Sequence, residues 1–167
     1  MAVKSLPDQG ADGNGSLLAL DLGGKTGWAL SHPNGTITSG TVEFKPGRFE
    51  GGGMPFLRFL GWLDEIEEFA GPISRIVFEE VRRHLGTHAC HAYGGFLAQL
   101  TAWAEKRDIP YQGVPVGTIK RHATGKGNAG KAAVIAAMRN CGHNPGDDNE
   151  ADALAILHWA LDQEVGR

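Results

Sequence analysis

Leu17-Leu18-Ala19-Leu20-Asp21-Leu22 is an apolar run interrupted by one acid. Consecutive apolar residues over this length mark a buried strand. A carboxylate in such a strand costs several kcal/mol unless something compensates it, and a metal ion is the usual compensation. Ile76-Val77-Phe78-Glu79-Glu80-Val81 repeats the pattern. Asn149-Glu150-Ala151-Asp152-Ala153-Leu154-Ala155-Ile156 opens an otherwise apolar helix with acids. Three separated segments each present an acid where propensity alone would put none. The pattern points to divalent-metal chemistry on phosphates.

Outward from the first strand, residues 1–15 are polar, glycine-rich and without periodicity, and are expected to be a disordered tail before a single domain at 16–167. Strands are predicted at 16–22, 28–30 and 36–44, the last two joined by the turn signal Pro33-Asn34-Gly35. Residues 45–53 form a glycine-rich loop. Phe56, Leu57, Leu60, Leu63 and Ile66 then follow helical spacing until Gly71-Pro72. A strand at 76–80, a polar loop at 82–87 and a long helix to about residue 107 come next. The last strand is predicted at 109–114, followed by helices at 116–121, 129–140 and 149–162. Gly94-Gly95 inside the long helix costs about 1 kcal/mol per residue relative to Ala, which fits close approach of another backbone or a local kink. Three strands, helix, strand, helix, strand, then helices predict an α/β fold: a mixed five-stranded sheet with helices on both faces.

The 167 residues suit one domain with a sizeable core, and 41% hydrophobic with 21% charged residues is ordinary for a soluble protein. Cys90 and Cys141 form no spaced framework, so reduced thiols and a cytoplasmic location are expected. No apolar stretch reaches a membrane span, and the N-terminus lacks a signal-peptide core. Charge is uneven. Residues 82–131 carry eight Lys/Arg against two acids, or +6, so the remainder carries -9 of the total of -3. Such a split suits a phosphate-binding surface around a carboxylate centre, and equally a solvated basic face.

Two-metal phosphodiester hydrolysis needs several carboxylates around two ions, and magnesium prefers oxygen ligands. Asp21 precedes Leu22-Gly23-Gly24-Lys25-Thr26-Gly27, whose glycines let a backbone approach a ligand, although the acid alternatively caps that turn. Glu79 and Glu80 point to opposite faces of their strand, so one enters the site and the other is solvated or paired with Arg82. Asp152 is either a ligand or a first-turn acid favouring the helix dipole. Gly125-Lys126-Gly127-Asn128-Ala129-Gly130-Lys131-Ala132 nearly spells a P-loop, but Ala132 replaces the magnesium-binding hydroxyl and no buried strand precedes it. It reads better as a basic loop touching DNA phosphates, with a helix N-terminus at Ala129 adding donors. His84, His88 and His91 lack the ligands that would complete a zinc site.

Taken together, these residues resemble the RuvC family of Holliday junction resolvases, in the RNase H-like superfamily, as much in its small phage-encoded form as in its bacterial one. The likeness runs from about Leu17 to Trp159. It rests on Leu18-Ala19-Leu20-Asp21-Leu22-Gly23 with Thr26-Gly27, on Val77-Phe78-Glu79-Glu80-Val81, on residues 117–120, on Gly130-Lys131, and on Ala151-Asp152-Ala153-Leu154-Ala155. It implies a homodimer that nicks branched DNA using two magnesium or manganese ions, in a bacterial cell or a phage-infected host. Asp21, Glu79 and Asp152 match the catalytic metal-binding acids. Lys120 and Lys131 match lysines near the DNA backbone, with Arg121, Lys126, Arg82 and Arg83 as further DNA contacts. At the remaining acidic position, three residues before Asp152, stands Asn149, with Asp148 and Glu150 beside it. The amide oxygen of Asn149 is expected to be the fourth ligand, with Asp148 capping the helix or assisting through water and Glu150 pointing away. A catalytically inactive RNase H-like binding module is the main alternative. An actin-like or sugar-kinase ATPase fits less well, because it needs two large lobes.

Overall fold

The computed structural model describes residues 15–82 and 86–166. The expected tail, apart from Gly15, lies outside the described residues, as do Arg83 and His84. Five strands, β1 (Ser16–Asp21), β2 (Lys25–Ser31), β3 (Ile37–Glu43), β4 (Ile73–Glu80) and β5 (Tyr111–Pro115), form one sheet in the order β3-β2-β1-β4-β5. The β1–β2 and β2–β3 pairs are antiparallel, whereas β1–β4 and β4–β5 are parallel. Parallel neighbours need crossovers, and α1 (Met54–Ala70) and α2 (Thr87–Glu105) lie in those two connections. Helices α3 (Val116–Thr124), α4 (Lys131–Asn140) and α5 (Asp148–Val165) follow.

Side-chain alternation divides the core. Leu18, Leu20, Ile76 and Phe78 pack with Phe59 and Leu63 of α1 and with Phe96 and Leu100 of α2. Leu17, Ala19, Val77 and Val114 pack on the other face with Ile119, Val134, Met138 and the apolar stripe of α5. Because β1 is covered on both faces, it carries no alternating pattern. Small residues on both sides (Ala19, Ala29, Ala151, Ala155) bring α5 close to the sheet. The closest point is Gly27, where an added Cβ would lie 1.9 Å from the Asn149 carbonyl oxygen.

Element types agree with the sequence reading; several boundaries do not. β2 starts at Lys25, three residues earlier than expected, because the glycine-containing segment pairs fully with β3 (Lys25↔Glu43 through Gly27↔Thr41). β4 likewise begins three residues early, at Ile73, whereas β5 begins two residues late, at Tyr111. α4 begins at Lys131 with Gly130 as its cap, so Ala129 is not a helix N-terminus. At Gly95 the close neighbour is the Phe56 ring, 2.5 Å from where a Cβ would sit, and nothing approaches Gly94. Gly95 therefore admits a ring from α1 of the same chain, and Gly94 faces open space. No helix among the described residues is long and apolar enough to cross a membrane.

Candidate active site

Sheet geometry brings two of the acids together. Leu17 and Ala19 face α5, so Asp21 faces it too; Val77 faces α5, so Glu79 does. β1 and β4 are adjacent and parallel with Leu20 opposite Phe78, which leaves Asp21 and Glu79 at the same sheet end. Glu80 turns to the opposite face and pairs with Arg82 at 3.2 Å. Tyr93 of α2 fixes the end of β4: its hydroxyl donates to the Glu79 carbonyl at 2.8 Å and accepts the Val81 N–H at 3.2 Å. On the other side of β1, Thr26 donates to the Gly23 carbonyl at 2.7 Å and closes the β1–β2 turn.

The third component is the start of α5. Gly27 is the cross-strand partner of Asp21, and the Asn149 backbone rests on Gly27. The glycine that looked suited to a ligand instead makes room for this helix. Asp147 is the N-cap: its Oδ1 accepts the Glu150 N–H at 2.9 Å and the Thr41 hydroxyl at 2.7 Å, and its Oδ2 meets Lys25 Nζ at 2.9 Å. Asp148 is therefore the first helical residue and not the cap, one turn before Asp152 on the same face. Glu150 is occupied elsewhere, accepting from Ser39 at 2.7 Å and from the Gly146 N–H at 2.8 Å. No sequence signal separated Asp147 from its acidic neighbours.

The electrostatics tie these acids into one group. Burial holds the Asp21 carboxyl well above its ordinary value, reinforced by Glu79, Asp152 and Asp148 and opposed by Lys131. Burial, then Asp152, pushes Glu79 up to about 7, with Lys120 pulling down. Asp152 rises to about 6, mainly through burial, with Lys120 opposing and Asp148 adding. Asp148 moves the other way, because the Lys131 ammonium pairs with it directly. Three carboxyls whose charged forms are disfavoured, with two lysines set against them, form a place where added positive charge is stabilising. The donors are hard oxygens, which suit magnesium or manganese. Among the described residues no three acids, histidines or cysteines stand as a finished metal cage, so the fit lies in donor chemistry and charge.

Of the expected DNA-contacting residues, Lys120 and Lys131 join the acid group, whereas Arg121, Lys126 and Arg82 are exposed and outside it. The Arg121 guanidinium lies beside Gly127. Gly125 is the left-handed cap of α3 and Gly130 caps α4, so these glycines end and start helices instead of cradling a nucleotide. His88 and His91 are exposed on α2 and join no metal cluster among the described residues.

No protein-family model matches the sequence, and no curated protein matches it. Solved structures do. Thermus thermophilus RuvC in complex with a Holliday junction substrate superposes with a TM-score of 0.73 at 21% identity, covering 91% of this chain and 96% of that one. The fold is that of RuvC. A second T. thermophilus RuvC structure gives 0.70 at 20% identity, covering 90% of this chain and 96% of that one. The yeast mitochondrial Holliday junction resolvase gives 0.59 at 12%, covering 86% and 76%. The expected RNase H-like mixed sheet with helices on both faces is thus the RuvC-type architecture seen here.

Proposed function

We propose that this chain is a metal-dependent, structure-selective DNA endonuclease that nicks Holliday junctions or other branched DNA. The observation that carries the proposal is the coupled group Asp21, Glu79, Asp148 and Asp152 at one sheet end, flanked by Lys120 and Lys131, in a RuvC-type fold. Two magnesium or manganese ions held there would supply an activated water and neutralise the leaving oxygen. Asp21 and Glu79 offer carboxylates from rigid strands, and Asp152 offers one from a helix seated on Gly27. For the fourth position we replace Asn149 with Asp148, which carries a charge and stands one turn from Asp152. Asn149 acts through its backbone, as the contact that seats the helix.

Lys131 neutralises Asp148; with a cation bound in the group, its ammonium would be available to a DNA phosphate. Lys120 offsets Glu79 and Asp152 in the same way. The basic stretch from 82 to 131 supplies the wider phosphate-binding surface. A homodimer would present two such sites to one junction and cut two strands symmetrically; a monomer in sedimentation, with and without junction DNA, would refute that arrangement. With Asp148 in the group the site has four carboxylates, which favours a nuclease over the inactive-module alternative. Among the described residues the single five-stranded sheet likewise offers no second lobe to close over ATP.

The test is cleavage of a four-way junction, a flap, a single strand and a linear duplex, with and without magnesium. Metal-dependent nicking that favours the branched substrates is expected. No metal-dependent cutting, or equal cutting of linear duplex, would defeat the proposal.

A further inference from the structure

The loop after β3 contains an aromatic ring held out into solvent. Phe49 is 94% exposed, although burying such a ring is worth about 1.5–3 kcal/mol. An exposed Phe in a glycine-rich loop is ordinarily an incidental surface residue. Here the segment carrying it is fixed. Gly47-Arg48-Phe49-Glu50 is a tight turn closed twice: the Glu50 N–H donates to the Gly47 carbonyl at 3.1 Å, and the Gly47 N–H donates back to the Glu50 carboxylate at 2.6 Å. Arg58 of α1 then grips that carboxylate with contacts of 2.6 and 2.7 Å and donates to the Lys45 carbonyl at 2.6 Å. An added Cβ at Gly47 would sit 3.1 Å from the Glu50 carboxyl carbon, so the glycine leaves space for the lock.

The turn also stands at the right end of the sheet. Two antiparallel steps, β1 to β2 and β2 to β3, make β3 run in the direction of β1. Its exit is therefore on the Asp21 and Glu79 side. Glu43 pairs with Lys25, the Phe44 N–H donates to the Gly24 carbonyl at 2.7 Å, and Lys25 reaches the Asp147 cap of α5. The turn thus stands at the acids' end of the sheet, anchored through Arg58 to α1, which covers the opposite face.

Charge selects the partner. Glu50 is neutralised by Arg58 and Lys45 by Glu43, so what the tip presents is the Phe49 ring and the Arg48 guanidinium. The guanidinium lies over one face of the ring, 5.5 Å from its centroid, which leaves the other face open to a nucleobase and the cation near its phosphate, since bases stack on aromatic faces whatever their sequence. A second copy of this chain fits poorly. One ring offers about 150–250 Å², against roughly 1,200–2,000 Å² in a stable interface.

We infer that Arg48-Phe49 is a base-stacking prong that receives an unpaired nucleotide beside the active site. This inference rests on the branched-DNA reading, but its test can be separated from it. Binding of wild type, Phe49→Ala and Phe49→Trp to an oligothymidine strand, a four-way junction with 2-aminopurine at the branch, and a blunt duplex would be compared without magnesium. The Ala variant should lose about tenfold in affinity for the strand and the junction while staying within about twofold on duplex. It should also lose the change in 2-aminopurine emission. The Trp variant should retain wild-type binding. Equal affinities for wild type and Ala, an equal loss on duplex, a loss that tracks a changed sedimentation coefficient, or no wild-type binding to unpaired DNA would each overturn the prong. If the selective loss appears but wild type never cuts branched DNA with metal, the nuclease reading falls and the prong stands.

Discussion

Glu79→Gln should make the metal-free protein more stable, and only above the acid range. The carboxyl stands at about 7 in the fold against an ordinary 4.5, through burial and the nearby Asp152. A raised acid pKa means that the folded state keeps its proton longer than the unfolded chain. The penalty is therefore absent below about 4.5, grows as pH rises toward 7 and is constant above that. At about 1.4 kcal/mol per pH unit it reaches roughly 3 kcal/mol. Glutamine keeps the shape and removes the charge, so urea unfolding in metal-depleted buffer at pH 8 should show a gain of about 2–3 kcal/mol, and at pH 4.5 almost none. Removing Glu79 also relieves Asp21, which Glu79 pushes upward, so the gain includes that coupling. Millimolar magnesium should reverse the order, because ions bound by the wild-type fold stabilise it and the variant lacks a ligand. Equal stability at pH 8, or the same gain at both pH values, would refute the reasoning.

Asp148→Asn should raise the magnesium concentration needed for half-maximal junction cleavage at least about tenfold, as expected for loss of a charged ligand, whereas Asn149→Asp should change it little; the reverse outcome would return the fourth position to Asn149. Gly27→Ala should destabilise the fold by roughly 3 kcal/mol, because its Cβ meets main chain at 1.9 Å and α5 must shift; an unchanged thermal midpoint would show that the contact relaxes freely. Lys120→Ala/Lys131→Ala should flatten the salt dependence of DNA binding by about 0.9 in the log–log slope for each lost phosphate contact; an unchanged slope would confine both lysines to the acid group.

How much could be read in advance follows from the kind of signal. The buried strand around Asp21 and the strand around Glu79 were legible because an acid in an apolar run has few explanations. Strand alternation admitted only one of Glu79 and Glu80 to the site, the resemblance to RuvC named Glu79, and Arg82 does take Glu80. The start of α5 was not legible. Gly146-Asp147-Asp148-Asn149-Glu150 offers several acceptable caps in a row, and a shift of one residue changes which acid bonds the backbone and which faces Asp21. Only Lys25 and Thr41, on distant strands, fix Asp147 as the cap. Gly27 and Gly95 were misread for a related reason: a glycine announces that something comes close but not what it is.

Asp21 lies near the beginning of the chain and Asp152 near its end, and α5 completes one whole face of the sheet. During synthesis the ribosome delivers that helix after all five strands. Until it arrives, Leu17, Ala19, Ala29, Val77 and Val114 have no cover from it, and Asp21 and Glu79 lack Asp148 and Asp152. If the proposed nuclease activity holds, a nascent chain is then catalytically silent as well as exposed to aggregation, and both conditions end with one docking event. A chain stopped before Asp147 should bind a hydrophobic dye and cut no DNA; a compact, dye-silent fragment would show that the face is closed by other means.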